Sequence, residues 1–356
     1  MISLRSHTNN FNLIRLAAAS QVLFVHVAHH IGFDGPLITA ISLFPGVPVF
    51  FFISGFLIYA SFERLKDRRW TAFYFNRIVR IYPALLVCTA VSLLAVYLTG
   101  YFGGRDIGAL KFAAWLLGQV TVVQFYNPPF MRQFGVGVLN GALWTISVEV
   151  QFYILVPLLY ALLHRRRRVW WGVGIVSLIA NLLLRAWSES TVAGWKFLGV
   201  TFLPWIWIFL LGFLLSSDVR LQQRVLRLNV VALLAAFVAA MWLIGDRVTN
   251  SSNSINPVAV VLLVAMLLKF ATADLGRFGR LFYRTDISYG LYVYHMPIIS
   301  LVIYETHWGA SMAASVIVVS SYVAATASWL LVEKPALDLK KRFSTRGSAG
   351  LEPGVP

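Results

Sequence analysis

Asn10 to His30 reads NFNLIRLAAASQVLFVHVAHH, and this stretch decides the class of fold. It is an apolar run long enough to enter a bilayer, yet it carries Arg15 and His26, two groups that hydrocarbon does not tolerate without a reason. They lie eleven residues apart. On an α-helix that is three turns plus about 20°, so both side chains project from one face, displaced along the axis by roughly 16 Å. A cation near one membrane surface is thus stacked below a titratable base near the middle or the far side. The run has no small-residue cleavage site after its apolar stretch, so it is expected as a retained first helix and not a signal peptide.

Composition extends this reading to the whole chain. Of 356 residues, 59% are hydrophobic and 12% charged, which excludes an ordinary soluble domain. A net charge of +16 could signal nucleic acid, but the basic residues sit in short clusters between apolar segments. Such clusters read as topology signals and lipid contacts, with no nucleic-acid partner expected. The single cysteine, Cys88, lies inside an apolar segment and supports neither a disulfide framework nor a thiolate metal site.

The fold class expected is all-α, a polytopic membrane protein of about ten transmembrane helices. The apolar segments are 11–31, 40–61, 80–99, 142–163, 169–185, 197–215, 229–245, 257–272, 287–305 and 312–332. Basic residues crowd alternate connections: Arg64, Lys66, Arg68, Arg69 and Arg77; HRRRR at 164–168; Arg220, Arg224 and Arg227; Arg277, Arg280 and Arg284; and KKR from Lys340. The intervening connections are sparse, with only Lys196 in 186–196, only Arg247 in 246–256 and none in 306–311. The positive-inside rule then places both termini in the cytoplasm. Residues 111–124 are apolar but short, and are expected to form an interfacial or re-entrant helix in an extracytoplasmic loop. One membrane domain is expected over 1–340, with a disordered cytoplasmic tail over 341–356.

Several residues carry chemistry. Arg15 either snorkels to headgroups or serves a site, and the face it shares with His26 favours a site. His26, His29 and His30 spell HxxHH and could bind a metal, but the other four histidines are scattered singly, so no metal is expected. Arg77 and Arg80 are three apart at the start of the third span, on one helix face, and suit a phosphate group or a positive-inside anchor. Glu149 stands well inside the fourth span, as a partner for His26 or for an arginine, or as an interhelical bond. His295, just before Met296 and Pro297, bonds across helices or serves a site, and Pro297 frees a backbone carbonyl beside a cavity. Ser54 and Gly55 in FFFISGF allow a close helix approach. Glu333 and Lys334 are expected at the cytoplasmic surface.

In chain order, Arg-x10-His (Arg15, His26), VFFFISGFLI (49–58), RIVR (77–80), LWTISVEVQFYILVPL (143–158), SYGLYVYHMPI (288–298) and EKP (333–335) make a set. The set resembles the acyltransferase-3 family of integral membrane acyltransferases, which acylate cell-envelope and exported carbohydrates. VEVQFY departs from the VEEQFY form of many members, since Val150 replaces a second acid. Glu149 remains.

The resemblance implies a multi-pass O-acyltransferase of the bacterial inner membrane, most simply an O-acetyltransferase. Its donor would be acetyl-coenzyme A or another acyl-coenzyme A, and its acceptor a hydroxyl of a polysaccharide, a lipopolysaccharide or a lipid-linked precursor. Arg77 and Arg80 would hold the donor's phosphates and Arg15 its anionic or pantetheine portion. His26 would act as general base oriented by Glu149, or be acylated itself and pass the group on. His295, Ser54 and Glu333 are further candidates. The alternatives are a transporter of a polyprenyl-linked sugar, against which the lack of visible repeats counts, and a sensor or scaffold.

Overall fold

The computed structural model describes residues 9–33, 35–65, 70–187, 193–244, 256–283 and 285–339. The expected tail at 341–356 lies outside them, as do Lys66, Arg68, Arg69, Arg247, Arg284 and Lys340. Among the described residues all long elements are helices. They run α1 (Phe11–Ile31), α2 (Pro36–Ser42), α3 (Gly46–Glu63), α4 (Trp70–Leu98), α5 (Ala109–Gln119), α6 (Leu143–Arg165), α7 (Arg167–Ala186), α8 (Ala193–Gly199), α9 (Ile206–Ser217), α10 (Val219–Arg227), α11 (Val230–Leu243), α12 (Pro257–Thr272), α13 (Gly276–Tyr283), α14 (Ser288–Glu305) and α15 (Ala310–Ser328). A π-helical turn, Trp329–Glu333, follows α15.

Every apolar segment read from the sequence carries a helix, but the helices are less uniform than ten equal spans. Among the described residues six helical stretches are long and apolar enough to cross a membrane: Phe11–Ile31, Pro36–Glu63, Trp70–Leu98, Leu143–Arg165, Arg167–Ala186 and Ala310–Leu339. The pair α10 and α11, bent by 88°, would make a seventh. α9 and α12 are apolar but shorter. The segment 197–215 is divided because Pro204 cannot continue a helix, leaving α8 and α9 on either side of an irregular stretch. The short apolar run at 111–124 holds the eleven-residue α5.

The outward faces of several helices are apolar, with Leu94, Ile175, Leu234, Val319 and Leu331 exposed. A soluble protein does not present such a surface, whereas lipid solvates it. Inside, α1 packs on α3, α14 and α15, and α3 on α9. The α3–α9 contact is backbone on backbone: a Cβ on Gly55 would overlap the Phe209 carbonyl, and one on Gly212 the Phe52 carbonyl. The two glycines are facing notches, the close approach expected of FFFISGF. We expect Gly55→Ala to lower stability by at least about 1–3 kcal/mol, because rigid backbone cannot yield as a side chain would. A matching fall in the melting temperature of detergent-solubilised protein checks this.

Pro297 lies inside α14. Lacking an N–H, it leaves the Val293 carbonyl without its helical donor. Asn140 Nδ2 donates to that carbonyl at 2.8 Å and Cys88 Sγ lies 3.2 Å from it. The loop before α6 is thereby sealed onto α14. Ser300 Oγ donates to the Val138 carbonyl at 2.9 Å, and Gly135, at φ +51°, rests where a Cβ would meet the Ser300 backbone. A small second core of Tyr101, Trp115, Met131 and Phe134 supports this loop.

Candidate active site

A cavity of about 300 Å³ opens among α1, α3, α4, α6 and α14 at the Arg15 end of α1. Arg15, Arg77 and Arg80 line it together with Ser54, Glu149 and Tyr153. Three guanidinia so close in an apolar setting need counter-charges. Asp286, directly before α14, supplies the main one. Its Oδ2 is 3.4 Å from Arg15 Nη1 and pairs also with Arg80 Nη2. Burial alone would raise the Asp286 carboxyl, but the guanidinium of Arg80, then that of Arg15, then hydrogen bonds from Ser288 outweigh it and hold the group below its ordinary value. Arg80 Nη1 also lies 3.8 Å from Glu333 Oε2. Arg15 therefore ends on a buried carboxylate and not among headgroups.

Arg77 is held differently. Its guanidinium stands 5.8 Å from the Phe73 ring and 5.7 Å from the Tyr153 ring, and its buried Nε has no hydrogen-bond partner among the described residues. Of the three arginines it is the one without a carboxylate there. Glu149 Oε1 accepts from Ser54 Oγ at 2.6 Å and from the Tyr153 hydroxyl. That contact ties α3 to α6 on the cavity wall.

His26 is paired elsewhere. Its Nδ1 lies 2.9 Å from Nε2 of His295, the rings stacked at 5.1 Å with 14° between their planes. His295 is fully buried, and its Nδ1 is 3.1 Å from the Leu291 carbonyl. A carbonyl only accepts, so His295 carries its proton on Nδ1 and, when neutral, offers a lone pair at Nε2. His26 must then donate from Nδ1, which leaves the lone pair on its Nε2. Among the described residues nothing hydrogen-bonds that nitrogen. Such a relay fixes the tautomer and orientation of one imidazole, which is the orienting part of what a carboxylate does in a Ser-His-Asp triad, without its negative charge.

The residues singled out in the sequence thus fall into two groups. Arg15, Arg77, Arg80, Ser54 and Glu149 gather at the cavity, and His26 and His295 meet above it. The orienting partner of His26 is His295 and not Glu149. Glu333 departs from the surface position expected for it: it is buried, 3% exposed, with Oε1 accepting from Ser328 Oγ at 3.1 Å. The π-turn is the cause, since its extra residue rotates this side chain inward towards Arg80. Asp286 was not legible as a site residue, because it reads as the last residue of a basic loop. The one signal was its place two residues before Ser288 at a helix start. His29 and His30 stack edge to face at 4.9 Å, but the described residues hold no group of three or more His, Cys, Asp or Glu able to share a metal ion.

Residues 8–333 match the acyltransferase-3 family model, described as an acyltransferase domain. The chain belongs to this family. It is an acyltransferase embedded in a membrane by several helices. Nodulation protein 10 of Rhizobium leguminosarum bv. viciae is 31% identical over 96% of this chain and 96% of its own length. An O-acetyl transferase of Shigella phage Sf6 is 27% identical over 97% of this chain and 98% of its own. The O-acetyltransferase OatA of Staphylococcus aureus (strain NCTC 8325 / PS 47) is 26% identical over 73% of this chain and 46% of its own length. No solved structure matches the chain.

Proposed function

We propose that this acyltransferase moves an acyl group, most simply acetyl, from acyl-coenzyme A to a hydroxyl of an envelope or exported polysaccharide or its lipid-linked precursor. The observation that carries this reading is the His26–His295 pair, with a free imidazole nitrogen above a cavity lined by arginine. The names of two relatives, an O-acetyl transferase and an O-acetyltransferase, support oxygen as the acceptor atom and acetyl as the group. Both termini lie in the cytoplasm of a bacterial inner membrane on this reading, so the cavity faces the donor's pool.

The chemistry follows from the geometry. Arg77, with a free N–H and no carboxylate among the described residues, binds the donor's phosphates; Arg80 and Arg15 add positive field around it. The pantetheine arm runs along α1 towards His26, roughly 16 Å on. His26 Nε2 takes the proton of the acceptor hydroxyl as that oxygen attacks the thioester carbonyl. The C–O bond forms, the C–S bond breaks, and the thiolate leaves and takes up the proton that His26 received. An acylated His26 would use the same lone pair, and ping-pong kinetics would identify it.

Membrane vesicles given labelled acetyl-coenzyme A and cell glycans should transfer label. Mass spectrometry of surface glycans from cells with and without the protein should differ by the acyl mass. No transfer and no mass difference would overturn the proposal. We further expect Arg77→Ala to raise KM for the acyl donor about 10- to 100-fold with a smaller change in kcat, the cost of a charge-assisted hydrogen bond. Arg77→Lys should recover part of that loss. Kinetics against donor concentration check both.

A further inference from the structure

The face that α3 turns to the cavity shows where it opens. Ser54, Leu57, Ser61 and Arg64 all border the cavity, and their spacing of three, four and three residues puts them on one side of the helix. Exposure rises along that side, from buried Ser54 through half-buried Leu57 and Ser61 to exposed Arg64. Arg64 Nε donates to the Ala60 carbonyl at 2.8 Å, which folds the guanidinium back along the last turn and leaves its two Nη groups to face the opening. The adjacent acid, Glu63, accepts from the Tyr160 hydroxyl, and no carboxylate among the described residues pairs with Arg64. Helices α3 and α6 run in the same direction, joined by Ser54 to Glu149 and, further out, by Glu63 to Tyr160. Arg77 rests on the Tyr153 ring, one turn beyond Glu149, whereas Arg64 reaches back to a level about two turns beyond Ser54. The guanidinium of Arg64 therefore stands on the order of 5–10 Å outside that of Arg77, at the open end of the same cavity.

We propose that Arg64 is a second phosphate-binding residue, which takes the ribose 3′-phosphate of a coenzyme A thioester and so selects this donor over a bare phosphopantetheine arm. The inference rests on the function proposed above. A coenzyme A thioester carries two anionic groups on either side of a ribose: the pyrophosphate that holds the pantetheine arm, and the 3′-phosphate. With the arm inward and the pyrophosphate on Arg77, the 3′-phosphate lies further towards the opening, where Arg64 offers an unpaired charge. Asn76, directly before Arg77 in α4, and Ser61 border the cavity as neutral polar partners for the ribose. A guanidinium presents two N–H groups to one phosphate, which gives the site its preference for that group.

The test compares acetyl-coenzyme A with acetyl-3′-dephospho-coenzyme A for one glycan acceptor, in vesicles carrying wild type, Arg64→Ala or Arg64→Lys. Wild type should lose about tenfold in kcat/KM when the 3′-phosphate is removed, the cost of one charge-assisted hydrogen bond. Arg64→Ala should lose about tenfold on acetyl-coenzyme A, through KM and not kcat, and should fall less than about twofold further on the dephospho donor. Arg64→Lys should recover part of the preference. Should Arg64→Ala fail to accumulate, Arg64→Gln removes the charge, keeps a long side chain and should give the same pattern. Equal losses on both donors in a folded Arg64 variant would make Arg64 a helix-end cap or a general positive anchor and overturn the proposal. So would a wild type indifferent to the 3′-phosphate, and either result would leave the transferase reading intact. No transfer from either thioester by wild type would overturn both.

Discussion

His26→Ala is expected to lower acyl transfer by about 10²- to 10⁴-fold with the protein still folded, the range over which a positioned general base acts. The expectation comes from the tautomer relay: the Leu291 carbonyl fixes His295, His295 fixes His26, and His26 Nε2 is left with a lone pair that no hydrogen bond among the described residues takes up. Changing the second ring separates orientation from chemistry. His295→Leu removes the acceptor for His26 Nδ1 but leaves the base itself, and a ring free to turn should lose about 10²-fold in kcat. His295→Gln retains an acceptor oxygen near the same place and should fall between wild type and His295→Leu. KM for the donor should change little in either, because the arginines are in the other group of residues. Initial rates with labelled acyl-coenzyme A give the ranking. Transfer by folded His26→Ala at the wild-type rate would remove His26 from the mechanism.

Asp286→Ala should be the most destabilising single change at the site. It leaves Arg15 and Arg80 facing one another without the carboxylate they share, with Glu333, 3.8 Å from Arg80, as the nearest remaining acid that pairs with either. Breaking a buried pair by deleting one partner commonly costs about 3–5 kcal/mol. The melting temperature in detergent should fall well below that of any cavity-lining neutral variant. Adding Arg15→Met to Asp286→Ala should restore part of the loss, since the repulsion then goes with the charge. Asp286 is held below its ordinary value in the folded protein, so its contribution is complete at neutral pH. It is lost only as pH falls below about 4, through the folded-state value. A melting-temperature series in acid reports that loss, and it should be absent in the double variant.

Much of this site could be read along the chain because helical periodicity is a local property. Arg15 and His26 share a face by their spacing alone, as do Arg77 and Arg80, and both pairs stand where that spacing puts them. Gly55 could be read as a close-approach residue because a missing side chain has few other uses inside an apolar helix. Glu149 drew notice as an acid in hydrocarbon. What could not be read was which of these charged groups met. Glu149 and His295 were both available to His26, on separate helices, and spacing within one helix carries no information about the rotation of another. The ten apolar segments were legible for the same local reason, while the lengths and bends of their helices depend on Pro204 and on the 88° turn between α10 and α11.

The amino-acid sequence was enough to make this chain a helical membrane protein of the acyltransferase-3 family, with a cation and a base on one face of its first helix. Hydropathy, helical period and ordered motifs all act over short distances and do not need the fold. Tertiary structure alone decided that Asp286 and Glu333, which read as loop and surface acids, are buried against Arg15 and Arg80. It alone decided that His26 meets His295 from a separate helix. Those contacts join residues up to 271 positions apart. Their energies depend on burial and on distances of a few ångströms, and neither exists until α1, α4, α6 and α14 have packed together.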